Sequence, residues 1–189
     1  MKNYDVIIIG AGPGGIFTAY ELNKLAPKLR VAVLETGAPL AQRKCPIDGK
    51  KIKSCIGCKT CAIMNGFGGA GAFSDGKYNI TNDFGGTLYE YIGKKKALDL
   101  MHYVDDINMR HGGEGTRLYS TAGTQFKKIC IQHDLHLLDA SVRHLGTDIN
   151  YVVLENLYTY LKDKVEFFFD TPVLSVAAAE EGYAVKCMD

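Results

Sequence analysis

Within its first 35 residues the chain runs through a strand, a glycine loop, a helix and a second strand to a carboxylate, and this run constrains the fold more than any other feature. Val6 to Ile9 is a short β-branched apolar run between Asp5 and Gly10, which predicts a buried strand. Gly10-Ala11-Gly12-Pro13-Gly14-Gly15 follows and fits G-x-G-x-x-G. From Gly15 to Ala26 the apolar positions Ile16, Ala19, Leu22 and Leu25 recur at helical spacing, and Pro27 closes the segment. Val31 to Leu34 predicts a second buried strand, and Glu35 stands at its end, 20 positions after Gly15. So compact a β-loop-α-β unit implies parallel strands joined by a right-handed crossover.

The glycine pattern alone is weak evidence; after a strand, before a helix and followed by an acidic residue it reads as a dinucleotide-binding fingerprint. Gly10 permits the tight turn, Gly12 lets the backbone approach a pyrophosphate, and Gly15 lets helix and strand pack closely. The helix N-terminus offers free N–H groups and a partial positive charge to phosphate. Glu35 is suited to accept hydrogen bonds from both ribose hydroxyls and to repel a 2′-phosphate. The fingerprint does not choose between FAD and NAD.

The chain of 189 residues is little more than one domain long. Its net charge of +1, from 22 basic and 21 acidic residues, leaves no electrostatic footprint for nucleic acid or an anionic membrane. No apolar run approaches the ~18 residues of a membrane span. The opening apolar stretch ends in glycines and is too short for a secretory signal, so the expectation is a cytoplasmic protein acting on a small-molecule substrate or an electron carrier.

Residues 36–93 break the pattern: glycine, lysine and cysteine dominate and hydrophobic periodicity is poor. This predicts a functional insertion near the cofactor, organised by a ligand or metal rather than by an ordinary core. Within it, Cys45, Cys55, Cys58 and Cys61 crowd together. Four thiolates suit an iron–sulfur cluster, although Cys45-Pro46 precedes the C-x-x-C-x-x-C run rather than following it. They equally suit a structural zinc. Both C-x-x-C pairs also suit redox dithiol chemistry, and incidental reduced cysteines are a fourth reading.

Further on, Leu98, Met101, Val104 and Ile107 predict a helix from Lys94 to Arg110, in a stretch 94–146 that reads as the start of a substrate or cap region. Thr124 to His133 predicts another helix and Leu135 to Leu138 a short strand. Arg143 and His144 then read as a polar insertion able to meet an anionic substrate or supply a proton, or simply as a helix-capping loop. Thr147 is the expected N-cap of a helix to Lys164 with Ile149, Val152, Val153, Leu157 and Leu161 inward. Val165 to Phe169 predicts a strand, and Val173 to Ala177 with Tyr183 to Cys187 a hairpin.

The segments YDVIIIGAGPGGIFTAYEL and VAVLE resemble the FAD-binding start of glutathione-reductase-like flavoproteins. RKCPI, CIGCKTCAIMNGFGGAGAFSDGKYN, YIG and RHLGTD extend the resemblance, over nearly the whole chain, to the bacterial FAD-dependent dehydrogenases termed NAD(FAD)-utilising. GKYNITN is also similar to the GGRCNxTN motif of another flavoprotein group, with Tyr78 in place of its cysteine. The resemblance implies an α/β Rossmann-type FAD-binding domain and an FAD-dependent oxidoreductase, with NAD(P)H a candidate electron donor. By residue, it implies that the ADP half of FAD lies over Gly10 to Gly15, with Glu35 and Thr36 beside it and Arg43 and Lys44 reaching the cofactor. It brings Gly68, Gly69, Ala70 and Gly71 against the pyrophosphate or flavin, Ser74 and Asp75 onto phosphate or the flavin edge, and the backbone of Val173 onto the adenine. These families close the FAD site with a later Gly-Asp segment, for which no match exists here, so an incomplete two-domain flavoprotein is expected. The alternative is a flavin and iron–sulfur electron-transfer module built on the four cysteines.

Overall fold

The computed structural model describes residues 2–188. Its strands are β1 (Val6–Ile9), β2 (Val31–Leu34), β3 (Lys77–Ile80), β4 (Leu118–Ser120), β5 (Ser141–His144), β6 (Glu166–Phe168), β7 (Val173–Ala178) and β8 (Tyr183–Cys187). Its helices are α1 (Pro13–Leu25), α2 (Leu88–Ile92), α3 (Lys94–Asn108), α4 (Phe126–Gln132) and α5 (Gly146–Leu161). The chain divides into two units: the first runs to Phe73 and resumes at Leu154, and the second is the contiguous stretch Ser74–Val153.

In the first unit β1, β2 and β6 form a parallel sheet in the order β1-β2-β6. Val6 to Ile9 pairs in register with Val31 to Leu34, and Ala32 to Leu34 with Glu166 to Phe168. The central strand is β2, and all four of its side chains are buried, as its uninterrupted Val-Ala-Val-Leu run demands. Ile16, Ala19 and Tyr20 of α1 and Leu157 and Leu161 of α5 are likewise buried. Phe67 is fully enclosed, edge-on to Tyr158 at 5.2 Å and to Phe167 at 5.8 Å. The hairpin β7–β8 forms its own two-stranded antiparallel sheet. Among the described residues β1 is paired along one side only, and Ile9 remains 56% exposed.

The second unit is an antiparallel sheet in the order β3-β5-β4 with α3 as its longest complete helix. Arg143 on β5 ties this unit together. Its Nε donates to Asp105 Oδ1 at 3.0 Å, its Nη2 to Asp105 Oδ2 at 2.7 Å, and its Nη1 to the Thr116 carbonyl at 2.6 Å. Both charges are largely buried, so each depends on the other for compensation.

Three sequence expectations shift. No strand forms at 135–138, where Leu135 and Leu138 stay exposed; the strand is Ser141–His144, held between β3 and β4 and anchored by Arg143. The Lys94 helix ends at Asn108 and widens into a π-type turn at Met109–Gly113, released by Gly112 at φ 117°. On α5 Val152 is exposed, while Asn150 and Leu154 are buried, so the inward face is rotated from the expected one.

Candidate functional site

The glycine loop leaves β1 and enters α1 with the interlock its sequence predicts. Gly10 sits at φ 97°, a region only glycine enters without strain, and donates its N–H to Leu34 at 2.7 Å. A Cβ on Gly15 would lie 1.9 Å from the Gly10 carbonyl oxygen, so nothing larger than glycine fits there. By contrast, Cβ atoms on Gly12 and Gly14 would meet nothing within 4 Å. The two kinds of glycine do different work: Gly15 lets protein meet protein, and Gly12 and Gly14 leave an open face.

That open face is the N-terminus of α1. Gly12 is its cap and has no side chain to satisfy the first N–H groups, Pro13 follows it, and the first turn carries no acidic side chain. The 13-residue helix therefore presents uncompensated N–H groups and the positive end of its dipole. This donor set, with backbone free to approach, fits the pyrophosphate of a dinucleotide.

A second glycine segment lies against the first. Gly68 donates its N–H to the Ala11 carbonyl at 2.8 Å, and a Cβ on Gly69 would stand 3.2 Å from the Gly12 Cα. The two buried charges of this region, Glu35 and Arg43, both hold the arch that leads into this segment. Glu35 accepts N–H bonds from Ala11 through Oε2 at 2.7 Å and from Gly37 and Gly66 through Oε1, each at 2.8 Å. Arg43 donates from Nε to Ala62 at 2.9 Å, from Nη1 to Phe67 at 2.6 Å and from Nη2 to Ile63 at 2.8 Å, all backbone carbonyls. Its guanidinium also lies 4.8 Å from the centre of the Phe73 ring. Burial pushes the Arg43 guanidinium below its ordinary value, opposed by the nearby Glu35 and Cys61.

The structure thus brings Gly10 to Gly15, Glu35, Arg43, Gly68 and Gly69 into one neighbourhood of the first unit. The polar atoms of Glu35 and Arg43 are engaged by the protein's own backbone. Thr36 is half-buried, while Lys44 and Ala70 are exposed. A Cβ on Gly71 would meet open space. Val173 opens β7 opposite Cys187, with its side chain half-buried.

Ser74 and Asp75 belong to the second unit. The hydroxyl of Ser74 accepts the Gly76 N–H at 3.2 Å, and Asp75 pairs with Lys77 at 2.6 Å. Lys77, and more weakly His144, hold the Asp75 carboxyl below its usual value. Lys77 and His144 face each other across β3 and β5. Arg143 and His144 are therefore strand residues rather than a capping loop, and Arg143 is committed to Asp105 and Thr116 instead of standing free for an anion. Sequence spacing gave no hint of this, because 38 residues separate Arg143 from Asp105.

The four-cysteine metal centre is not formed. Among the described residues no group of three or more His, Cys, Asp or Glu side chains is arranged to hold a metal ion. Cys55 and Cys58 are exposed, Cys45 and Cys61 half-buried, and all four are free thiols. The polypeptide from 43 to 61 has no regular hydrogen-bonded structure to gather them. No helix among the described residues is long and apolar enough to cross a membrane.

Comparison with family models gives no match, and comparison with curated proteins gives none either. Solved structures do match. Glycine oxidase from Geobacillus kaustophilus aligns at TM-score 0.50 and 14% identity over 97% of this chain and 51% of its own. The amino acid oxidase NikD aligns at TM-score 0.44 and 12% identity, over 99% of this chain and 48% of its own. The halogenase PltM, in complex with phloroglucinol and FAD, aligns at TM-score 0.41 and 18% identity, over all of this chain and 32% of its own. The first of these bears on the fold: the chain has the α/β architecture of glycine oxidase and spans about half that protein's length.

Proposed function

We propose that this chain is the FAD-binding portion of an FAD-dependent oxidoreductase, of the NAD(FAD)-utilising dehydrogenase group within the glutathione-reductase-like flavoproteins. The observation that carries the reading is the uncapped N-terminus of α1 beneath a glycine loop whose Gly12 and Gly14 positions are open. Those backbone N–H groups would hold the pyrophosphate of FAD, and the second glycine segment, bonded to Ala11 through Gly68, would carry backbone alongside it. Bound flavin would supply the chemistry, taking a hydride or electrons at N5 from a donor. The chain's own task is to position that group, to exclude water around the phosphates and to fix the cofactor's orientation. NAD(P)H as electron donor and a small-molecule substrate are supported by the sequence resemblance.

The test is Gly12→Ala. The added methyl meets no protein atom, so the apo fold and its melting temperature should be unchanged. It enters the space where the pyrophosphate must approach, so FAD affinity, read by quenching of flavin fluorescence, should fall about tenfold or more. Unchanged affinity would place the cofactor elsewhere.

A further inference from the structure

We propose that Glu35 is a positioning residue, which sets nucleotide affinity by bracing the two glycine segments through their backbone amides and not by holding ribose hydroxyls. The proposal rests on the dinucleotide-binding reading above. Three separate loops turn an N–H toward one point: the glycine loop at Ala11, the turn after β2 at Gly37, and the arch at Gly66. Three converging N–H dipoles repel one another and need an anion between them, and Glu35 is that anion.

Its acceptor capacity is mostly spent. A carboxylate offers about four acceptor sites, two on each oxygen. Oε1 takes Gly37 and Gly66, and Oε2 takes Ala11, which leaves one site for two ribose hydroxyls. The residue cannot readily reorient. It is only 6% exposed, its own N–H donates to the Phe168 carbonyl at 2.8 Å, and its carbonyl accepts from Thr171 at 2.9 Å. The loops it joins are equally confined. A Cβ on Gly37 would stand 2.5 Å from the Gly66 nitrogen, and Gly66 sits at φ 111°. Without the carboxylate, the Gly66 to Gly69 segment loses its link to the glycine loop at Ala11 except for the Gly68 bond. The surface offered to phosphate would then lose its shape.

The experiment uses two probes, ADP and 2′,3′-dideoxy-ADP, which differ only in the ribose hydroxyls. Each is titrated into the full chain and into Glu35→Gln. Gln keeps the size but turns an N–H₂ toward amides that need an acceptor. The brace predicts that the wild-type chain binds the two nucleotides within about threefold of each other, and that Glu35→Gln weakens both by about tenfold or more, with a coupling under about twofold. A ribose-ligand role predicts the reverse: dideoxy-ADP binds the wild-type chain at least about tenfold more weakly, and the substitution leaves its affinity unchanged. That result would overturn the proposal. If Glu35→Gln fails to fold, the wild-type comparison of the two nucleotides decides the matter alone.

A second readout needs no nucleotide. In the ¹H–¹⁵N spectrum of the apo chain, the amide protons of Ala11, Gly37 and Gly66 should lie downfield and move upfield together in Glu35→Gln. Three unmoved amides would show that the brace does not exist. If the amides shift while the wild-type chain binds neither nucleotide, the dinucleotide reading falls, and the claimed effect on affinity falls with it.

Discussion

Residues 44–61 and 62–73 adjoin in the chain and both lack a clear hydrophobic period, yet they are opposite in structure. The first is mostly exposed and follows no regular pattern; Ile47 and Ile56 are 42% and 60% exposed. The second is clamped: Arg43 takes three of its carbonyls, Glu35 takes the Gly66 amide, and the enclosed Phe67 packs against Tyr158 and Phe167. Their compositions differ, with four cysteines and five lysines in the first and four glycines and three alanines in the second, but neither composition by itself orders a loop. What separates them in structure is one buried side chain of each charge, Glu35 just after β2 and Arg43 after the turn at Leu40–Gln42, each hydrogen-bonded to backbone. An irregular loop becomes rigid when its peptide groups find fixed partners, and here a cation and an anion supply both kinds.

The largest effect that would break this contrast is Phe67→Ala. Deleting a fully enclosed ring should cost the first unit about 3–5 kcal/mol in denaturant unfolding. A cost near zero would mean that the arch is no better packed than the segment before it. Next is Arg43→Met, which keeps much of the volume but strands the Ala62, Ile63 and Phe67 carbonyls. We expect a loss of about 2–3 kcal/mol together with new proteolytic cleavage inside 62–67. Destabilisation without new cleavage sites would show that Arg43 supports the core but not the arch.

Tyr78 extends the contrast to the second unit. Its hydroxyl donates to Asn150 Oδ1 at 3.0 Å, and burial, aided by Asp105, pushes its ionisation above the ordinary value of 10.0. Below that pH the folded and unfolded chains both keep the proton and stability is unaffected. As the pH climbs past it the unfolded chain ionises first, so stability is lost until the folded phenol ionises too. Tyr4 is also pushed up, by burial and by Glu166, so spectrophotometric titration should show a late-ionising phase that Tyr78→Phe diminishes without abolishing. The smallest effect belongs to the cysteine run. Replacing Cys55, Cys58 and Cys61 together by Ser should change stability by no more than about 0.5 kcal/mol. FAD affinity should also be unchanged. A large loss on either measure would give that segment an order the structure does not show.

The first 35 residues were legible because every signal there is local. Strand, turn, helix and strand follow from Val6 to Leu34, and the crowding of Gly15 against Gly10 is a contact between near neighbours. The terminal hairpin was legible for the same reason. What spacing could not show were the partners of charged groups. Glu35 reads as a ribose ligand from spacing, which gives no sign that Gly66, 31 positions on, is one of its donors. Arg143 reads as a substrate residue until Asp105 is found beside it. A short β3 with a single aliphatic residue, Ile80, gives no apolar pattern to detect, and the strand at 141–144 was hidden because its polar residues are satisfied by tertiary partners. The cysteines misled in the opposite direction: their sequence crowding suggested convergence, but four ligands in an irregular segment meet only when something gathers them.

The pairing of β2 with β6 sets a timetable for synthesis. Ala32 meets Glu166, so the inner strand of the first sheet waits for a partner made 134 residues later. At about 5–20 residues per second that delay is roughly 7–27 seconds. During it the Val-Ala-Val-Leu strand has an open flank, and Phe67 lacks the Phe167 and Tyr158 rings that enclose it. The second unit is contiguous in sequence and has no such wait. On the ribosome the order of completion is therefore the reverse of the order of emergence: the middle of the chain closes first, and its beginning last. Protease pulses on stalled nascent chains would reveal that order, with protection of the 1–73 region appearing only once residue 168 has cleared the exit tunnel.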